Sequence, residues 1–359
     1  MTGFFRGTDI ASDRLYSNIK SASNRYFRKA HRLTERMWAS CGQFVDADAP
    51  VRARNDFYAV WWELYLAYAL SCAGISLLPS KERPRRRGKG RPDLLATNPR
   101  IWIEAVMPHP GTGPDALSEP ALGEVYTVPL EGIVLRLRTA IQEKVSKLRH
   151  YLEDGTISAC DAAIIAVSGG RLPFRFNGYP IPDIVRAVCA VGSLAVELDL
   201  ATKKRVETYV EFRDHVLKKS NAAVPTNLFL QKESAHVSAV LYGSSDCVNY
   251  PRRPGTEFTL EAIAKPPFCP SKPLILRGPR EVLQPVLVHN PNATVPLPDT
   301  WLPLGRQYWI VGHHLNPHPL QWLAQSEALR SADNTKIKRV GPLLKTDESL
   351  RQLRVVSRQ

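Results

Sequence analysis

One segment in the first third of the chain is apolar on nearly every side. Over residues 57–73, Val, Trp, Leu, Tyr and Ala follow one another with almost no polar interruption. A helix that is apolar all round must be covered on more than one side. The pattern predicts a buried helix over residues 57–73, capped by Asn55 or Asp56 and ended by Gly74 in the left-handed conformation.

The segments after this helix alternate between strand and helix patterns. They comprise a short strand at 75–78, a strand pair at 93–96 and 100–106 joined by Thr97-Asn98-Pro99, an amphipathic helix at 134–152, a buried strand at 162–167, a helical segment at 182–191 and strands at 236–242 and 285–289. This alternation predicts an α/β fold with a mixed sheet flanked by helices.

The pattern also suggests an organisation into three parts. Residues 1–50 form a basic extension with surface helices over 12–43, and residues 51–318 form the α/β domain, with its core at 56–170. Residues 319–359 form a polar, basic tail without strong periodicity, for which we expect partial disorder or a peripheral helix.

Composition narrows the classes of partner and compartment. Among 359 residues, 48 Lys and Arg stand against 34 Asp and Glu, a formal charge of +14 that favours a polyanion such as nucleic acid or an anionic membrane. The six cysteines are scattered without a CxxC pair, which argues against a zinc site and for a reducing, cytoplasmic location. The amino terminus has no apolar run typical of a secretory signal.

Residues 59–78 are apolar and long enough to raise the possibility of a membrane anchor. They contain Glu63 and Gly74, however, and basic residues lie on both sides. Since a buried helix followed by a short strand explains the same pattern, we expect no stable membrane insertion.

Three acidic residues occupy positions where a charge is costly. Glu63 is the only charged residue between positions 57 and 78, Asp93 follows Pro92 at the start of a strand, and Glu104 lies within the next strand. Strand alternation puts Glu104 on the same face as Trp102. Carboxylates from a helix and a strand pair can converge on Mg²⁺ or Mn²⁺, which lowers the pKa of bound water and neutralises charge on a phosphate.

These residues carry a resemblance to a known family. Glu63, then Arg91-Pro92-Asp93, then Ile103-Glu104-Ala105-Val106 resembles the core of the PD-(D/E)XK nuclease superfamily. The resemblance implies a restriction-endonuclease-like αβββαβ core. It also implies that Glu63, Asp93 and Glu104 are the metal ligands of a phosphodiester-cleaving site.

The chain departs from the family at one position that bears on catalysis. The family has a lysine two residues after the strand acid, where this chain has Val106. Lys144, at the boundary of the apolar face of the following helix, is the residue that we expect to supply the missing amine. Gln142, Glu143 and Lys147 are less well placed candidates.

Each acid also has a structural interpretation. Glu63 can be a buried acid paired with an arginine, Asp93 can cap a turn or strand, and Glu104 can face solvent from an edge strand.

Other polar groups are weaker candidates. The loop at 81–91 can follow a phosphate backbone or simply be solvated, and its candidate nucleic-acid-binding residues are Lys81, Arg83, Arg85, Arg86, Arg87, Lys89 and Arg91. Arg136 and Arg138 could contact phosphate or simply be solvated on the helix surface. His313, His314 and His318 could bind a metal, but no carboxylate or cysteine completes the ligand set. The segment Ser168-Gly169-Gly170 predicts a turn rather than a phosphate-binding loop.

The sequence therefore predicts a Mg²⁺-dependent or Mn²⁺-dependent nuclease that acts on DNA, with Glu63, Asp93, Glu104 and Lys144 as its catalytic set. A catalytically inactive nucleic-acid-binding or assembly module of the same fold is the alternative, favoured by Val106. A membrane-associated protein anchored through residues 59–78 is the third hypothesis. A homodimer or a protein partner is compatible with either of the first two.

Overall fold

The structure is a computed structural model. It describes residues 3–7, 11–84, 90–119, 127–173, 181–202, 205–244, 246–248, 260–261, 275–276, 285–302, 306–311, 314–317 and 353–356.

Six helices and fourteen strands make up the described part of the chain. The helices are α1 Arg14–Ser21, α2 Arg25–Cys41, α3 Ala49–Arg52, α4 Phe57–Cys72, α5 Leu130–Glu153 and α6 Asp183–Val188. The strands are β1 Leu94–Thr97, β2 Arg100–Val106, β3 Ala162–Ser168, β4 Val191–Leu198, β5 Arg205–Phe212, β6 His215–Leu217, β7 Ala223–Pro225, β8 Ala239–Gly243, β9 Leu260–Glu261, β10 Ile275–Leu276, β11 Val286–His289, β12 Arg306–Val311, β13 His314–Pro317 and β14 Leu353–Val356.

The central sheet is mixed. It runs in the order β1-β2-β3-β8-β11-β12 and continues through β13-β14-β5-β4. The hairpin of β1 and β2 is antiparallel, whereas β2, β3 and β8 are parallel to one another. A parallel neighbour requires a crossover, and α5 provides it between β2 and β3. The predicted α/β class, with a mixed sheet flanked by helices, is confirmed.

Helices cover both faces of this sheet. On one face, α4 packs against β2, and α2 and α1 lie outside α4; Leu94, Ile103 and Ala105 belong to this core. On the other face, α5 and α6 pack against Trp102 and Ile165. Alternate residues of β2 therefore enter different cores, which is the expected result for a strand covered on both sides.

The first two helices are integral to one of these cores. One or two surface helices were predicted over residues 12–43, whereas two helices form and Tyr16, Met37 and Trp38 are buried beside α4. The physical reason lies in α4, which is apolar on all sides and therefore needs a cover on the side away from the sheet. The N-terminal segment supplies that cover.

Local signals located most elements well. Asp56 caps α4 by accepting a hydrogen bond from the Ala59 N–H at 3.2 Å, and Gly74 has a φ of +80°. The predicted strand at 75–78 is wrong as a strand, because it is reduced to a single bridge between Leu77 and Ala96. Backbone hydrogen bonds still join this segment to β1, from the Leu78 N–H to the Leu95 carbonyl at 2.8 Å and from the Thr97 N–H to the Ser76 carbonyl at 3.0 Å.

The apolar segment at 59–78 is not one continuous helix. The helix α4 has 16 residues and ends at Cys72, which is about 24 Å of helix against about 30 Å of hydrocarbon in a bilayer. Across the described ranges, no helix is long and apolar enough to cross a membrane.

The tail at 319–359 lies largely outside the described residues. Within it, Leu353–Val356 forms β14, which pairs in parallel with β5. A strand there differs from the predicted peripheral helix, and the alternative prediction of partial disorder concerns residues outside the described ones. His313 and His318 lie outside the described residues.

Asp183, at the start of α6, gives the folded protein a specific pH dependence. It is 3% exposed, its Oδ1 has no hydrogen-bond partner in the described structure, and burial raises its pKa to about 7, partly opposed by Arg186. Since the folded pKa lies above the unfolded value, the contribution of Asp183 to the free energy of unfolding is largest below about pH 4 and falls as pH rises from about 4 to 7.

We therefore expect Asp183→Asn to be more stable than the wild type above pH 7, by no more than about 4 kcal/mol at about 1.4 kcal/mol per pKa unit. Urea unfolding at pH 5 and pH 8 measures this difference. Equal pH dependence in both proteins would show that the Asp183 carboxyl is ionised without penalty in the fold.

Candidate active site

Asp93 and Glu104 lie next to each other because of the register of the β1–β2 hairpin. Leu94 pairs with Ile103, so the residue before β1 comes beside Glu104. Asp93 Oδ2 accepts a hydrogen bond from the Ala105 N–H at 2.7 Å. Two acids that are 11 positions apart in sequence are thereby joined at one end of the hairpin.

Glu104 is a buried acid in the second strand of the sheet. It is 0% exposed and projects from the same face as Trp102, towards α5. The face was predicted correctly, but the interpretation of Glu104 as a solvent-facing edge residue is wrong, because β2 lies between β1 and β3. A carboxylate at this depth requires compensation.

Two lysines of α5 compensate the charge of Glu104. The ammonium groups of Lys144 and Lys147 each donate to Glu104 Oε1 at 2.6 Å. The side chain of Lys144 is 19% exposed and that of Lys147 is 43% exposed. The sequence favours Lys144 over Lys147, yet both reach the same oxygen because residues three apart lie on one helix face.

The second oxygen of Glu104 has a different environment. In the described part of the chain, Glu104 Oε2 is buried and has no hydrogen-bond partner. A buried carboxylate oxygen without a donor costs free energy, because it has lost the hydrogen bonds that water would supply. A cation bound beside Asp93 and Glu104 would satisfy this oxygen.

The raised pKa of Asp93 also favours a bound cation at this site. Burial raises the pKa of Asp93 well above its usual value, and the charges of Glu104 and Glu63 raise it further. Lys144 and the Ala105 N–H oppose these effects without cancelling them. The ionised form of Asp93 is therefore unfavourable in the metal-free fold, and a divalent cation would relieve that cost.

Lys147 remains protonated in this environment. Burial lowers its pKa, but the charge and hydrogen bond of Glu104 outweigh that effect and raise the pKa above its usual value. Its Nζ also lies 5.6 Å from the ring centre of Tyr151, whose own pKa is raised by burial and by Glu104. Lys147 can thus donate hydrogen bonds here but cannot act as a base near neutral pH.

Glu63 has a close partner of its own. Arg52 of α3 donates to both of its oxygens, from Nη1 to Oε1 at 2.9 Å and from Nη2 to Oε2 at 2.6 Å. This bidentate hydrogen bonding raises the pKa of Arg52. Glu63 is thus a buried acid paired with an arginine, which was the structural interpretation of this residue. Its helix, α4, packs on the opposite face of the sheet from α5.

The three acids do not form a ready-made metal site. Within the described ranges, no group of three His, Cys, Asp or Glu residues is arranged to hold a metal ion. Asp93 and Glu104 are neighbours, but Glu63 is held by Arg52. The residues suited to a divalent cation are consequently Asp93 and Glu104, while a role for Glu63 remains a prediction that requires release from Arg52.

Two residues of the basic loop are structural. Arg83, 3% exposed, donates to the Pro92 carbonyl at 2.7 Å, to the Asp93 carbonyl, and to Asp46 at 2.8 Å. Arg91 donates to the same Asp46 oxygen at 3.0 Å. Arg83 and Arg91 were predicted to contact phosphate. The structure corrects this prediction, because both guanidinium groups already bind the chain before β1 and Asp46.

Asp46 binds both of these arginines, and it was not predicted from the sequence. Burial raises its pKa, but hydrogen bonds from Ser80 and Arg91 and the charge of Arg83 outweigh this effect and lower it. An isolated Asp in a loop carries no periodic signal, so nothing in the sequence singled it out. Among the remaining loop residues, Lys81 is exposed, and Arg85, Arg86, Arg87 and Lys89 lie outside the described residues.

The weaker candidates have structural roles where they are described. Arg138 is buried and donates to the Pro225 carbonyl at 2.7 Å, while Arg136 donates to the Asp115 carbonyl. Ser168-Gly169-Gly170 forms the predicted turn, in which the Gly170 N–H donates to Ser168 Oγ at 3.1 Å. A Cβ at Gly169 would lie 2.1 Å from the Tyr242 hydroxyl, which explains the glycine.

Comparison of this chain with protein-family models, with curated proteins and with solved structures finds no match.

Proposed function

We propose that the protein is a divalent-metal-dependent nuclease with a restriction-endonuclease-like core. The order α4, β1, β2, α5, β3 agrees with the αβββαβ pattern, since the Leu77 bridge occupies the place of the additional strand. The antiparallel hairpin followed by a parallel third strand is compatible with the same core. The net charge of +14 favours a polyanionic substrate such as DNA.

One observation carries the proposal. The Lys144 ammonium lies 2.6 Å from Glu104, beside Asp93, although Val106 occupies the strand position where the family has its lysine. An amine on the neighbouring helix thus reaches the acid that the absent strand lysine would accompany. The combination of two adjacent acids and a lysine on one face is the arrangement that this chemistry requires.

Each residue of the cluster has a role in the proposed reaction. Asp93 and Glu104 would hold Mg²⁺ or Mn²⁺, which supplies a more acidic bound water and charge neutralisation at the phosphate. Lys144, freed from part of its interaction with Glu104, would donate a hydrogen bond that orients the attacking water and stabilises negative charge on the phosphoryl oxygens. Lys147 would provide a positive charge near an approaching phosphate.

A catalytically inactive nucleic-acid-binding module is the second candidate. The observation that favours it is the Arg52 pair with Glu63, which occupies the oxygens of the helix acid. In that case Lys144 and Lys147 would simply neutralise a buried glutamate. The two candidates differ in whether any phosphodiester bond is cleaved.

The test is incubation of the full chain with plasmid, single-stranded DNA and RNA in Mg²⁺, Mn²⁺ or EDTA. We expect DNA cleavage in either metal and none in EDTA. Wild-type protein that binds DNA but leaves all three substrates intact would support the binding module. Cleavage that persists in EDTA would contradict the metal-dependent mechanism.

A further inference from the structure

All the charged side chains on the exposed face of α2 are cations. Its solvent-exposed cations are Arg25, Arg28, Lys29, Arg32 and Arg36. They recur three to four residues apart, so they lie along one face of the helix. None of the five forms an ion pair with a described residue.

The only acid of α2 is withdrawn from this face. Glu35 accepts hydrogen bonds from the backbone N–H groups of Phe4 and Phe5 at 2.9 and 3.0 Å. A solvated helix surface normally mixes both signs of charge, which favours solubility and lowers repulsion. Here the one carboxylate of the helix binds the N-terminal segment and forms no described ion pair with the five exposed cations.

We infer that the exposed face of α2 is a second nucleic-acid-binding surface, which contacts the phosphates of a DNA duplex. Residues 25–36 extend over about 16 Å of helix, and a duplex carries one negative charge per about 1.7 Å of its axis. Four of the five cations are arginines, whose planar guanidinium groups can contact phosphate oxygens in pairs. This surface lies on the α4 side of the sheet, away from Glu104 and α5.

The packing of α2 argues against a membrane surface as the partner. An interfacial helix inserts its own apolar face among lipids. The apolar face of α2, with Leu33, Met37 and Trp38, is buried against the protein. The exposed side carries the five cations and one large apolar residue, Tyr26, which is too little apolar surface to insert among lipids, so this side suits a polyanion in solution.

The test measures binding without cleavage. Fluorescence anisotropy of a labelled 20-base-pair duplex in EDTA, at increasing KCl, compares the wild type with Arg28→Gln/Arg32→Gln/Arg36→Gln. The matched control is Lys218→Gln/Lys219→Gln/Lys232→Gln, which removes the same charge from exposed positions elsewhere. Because EDTA prevents metal-dependent cleavage, the result is independent of the proposed nuclease activity.

We expect the salt slope to fall by about 2.7 in the α2 variant, at about 0.9 per lost phosphate contact, and to be unchanged in the control. Equal slopes in the two triple variants would overturn the inference, as would a wild type that binds no duplex at 50 mM KCl. Binding of phosphatidylserine vesicles that depends on the α2 arginines, without duplex binding, would identify a membrane partner instead. The single variant Arg32→Glu should weaken duplex binding in the same direction and requires only one exposed change.

Discussion

Glu104→Ala is expected to abolish metal-dependent cleavage and to destabilise the metal-free protein. The substitution leaves the ammonium groups of Lys144 and Lys147 close together without the carboxylate that both now contact at 2.6 Å. Removal of one partner of a buried ion pair costs about 3–5 kcal/mol. We expect the lower end of that range, because both lysines retain some access to water. Urea unfolding in EDTA and a cleavage assay measure the two effects.

Asp93→Asn is the matched variant, and its effect on stability should have the opposite sign. The pKa of Asp93 is raised by burial and by neighbouring acids, so its ionised form is unfavourable in the metal-free fold. Asparagine keeps an oxygen for the Ala105 N–H and removes the charge. We expect equal or higher stability at pH 8 together with loss of cleavage.

Repulsion between Asp93 and Glu104 alone would predict that removing either acid leaves the metal-free protein as stable as before or more stable. If Glu104 were only repelled by Asp93, its removal would leave the metal-free fold as stable as before. The contacts with Lys144 and Lys147 reverse that expectation for Glu104 and leave it intact for Asp93. Destabilisation by Asp93→Asn of the size seen for Glu104→Ala would show that both acids are structural.

Lys144→Met is expected to lower turnover by about 10²–10³-fold, the usual effect of removing one donor that stabilises transition-state charge. Methionine preserves the length and apolar stem of the side chain, so the packing of α5 should be retained. Mn²⁺ binding, followed by calorimetry, should persist because Asp93 and Glu104 are unchanged. Cleavage rates at saturating Mn²⁺ measure the loss.

Lys147→Met provides the control on the same helix face. Its ammonium contacts the same oxygen of Glu104, but its side chain is more exposed than that of Lys144. We expect a smaller loss of turnover, and partial recovery of Lys144→Met by Val106→Lys, which returns an amine to the strand. Equal losses in both single variants, without recovery, would assign the lysines to charge compensation alone.

Much of this fold follows from local pattern. The helix α4, the hairpin and α5 could be predicted because each has a strong period, cap or turn signal, and strand alternation correctly gave the face of Glu104. The position of Lys144 at the apolar boundary of α5 likewise pointed to the acid cluster. These features depend on short-range geometry, which the sequence encodes directly.

The features that could not be predicted depend on contacts between distant segments. Arg52 reaches Glu63 from a separate short helix, and Asp46 binds Arg83 and Arg91, which follow it by 37 and 45 residues. No periodicity relates these positions. The burial of α1 and α2 escaped prediction for a similar reason, since their many cations masked the apolar face that covers α4.

The most direct test of the central claim is the cleavage of supercoiled plasmid by wild type and Asp93→Asn at equal protein concentration in Mg²⁺. We expect cleavage by the wild type, none by Asp93→Asn, and none by either protein in EDTA. Equal cleavage by the two proteins would contradict it, because Asp93 would then have no part in the reaction.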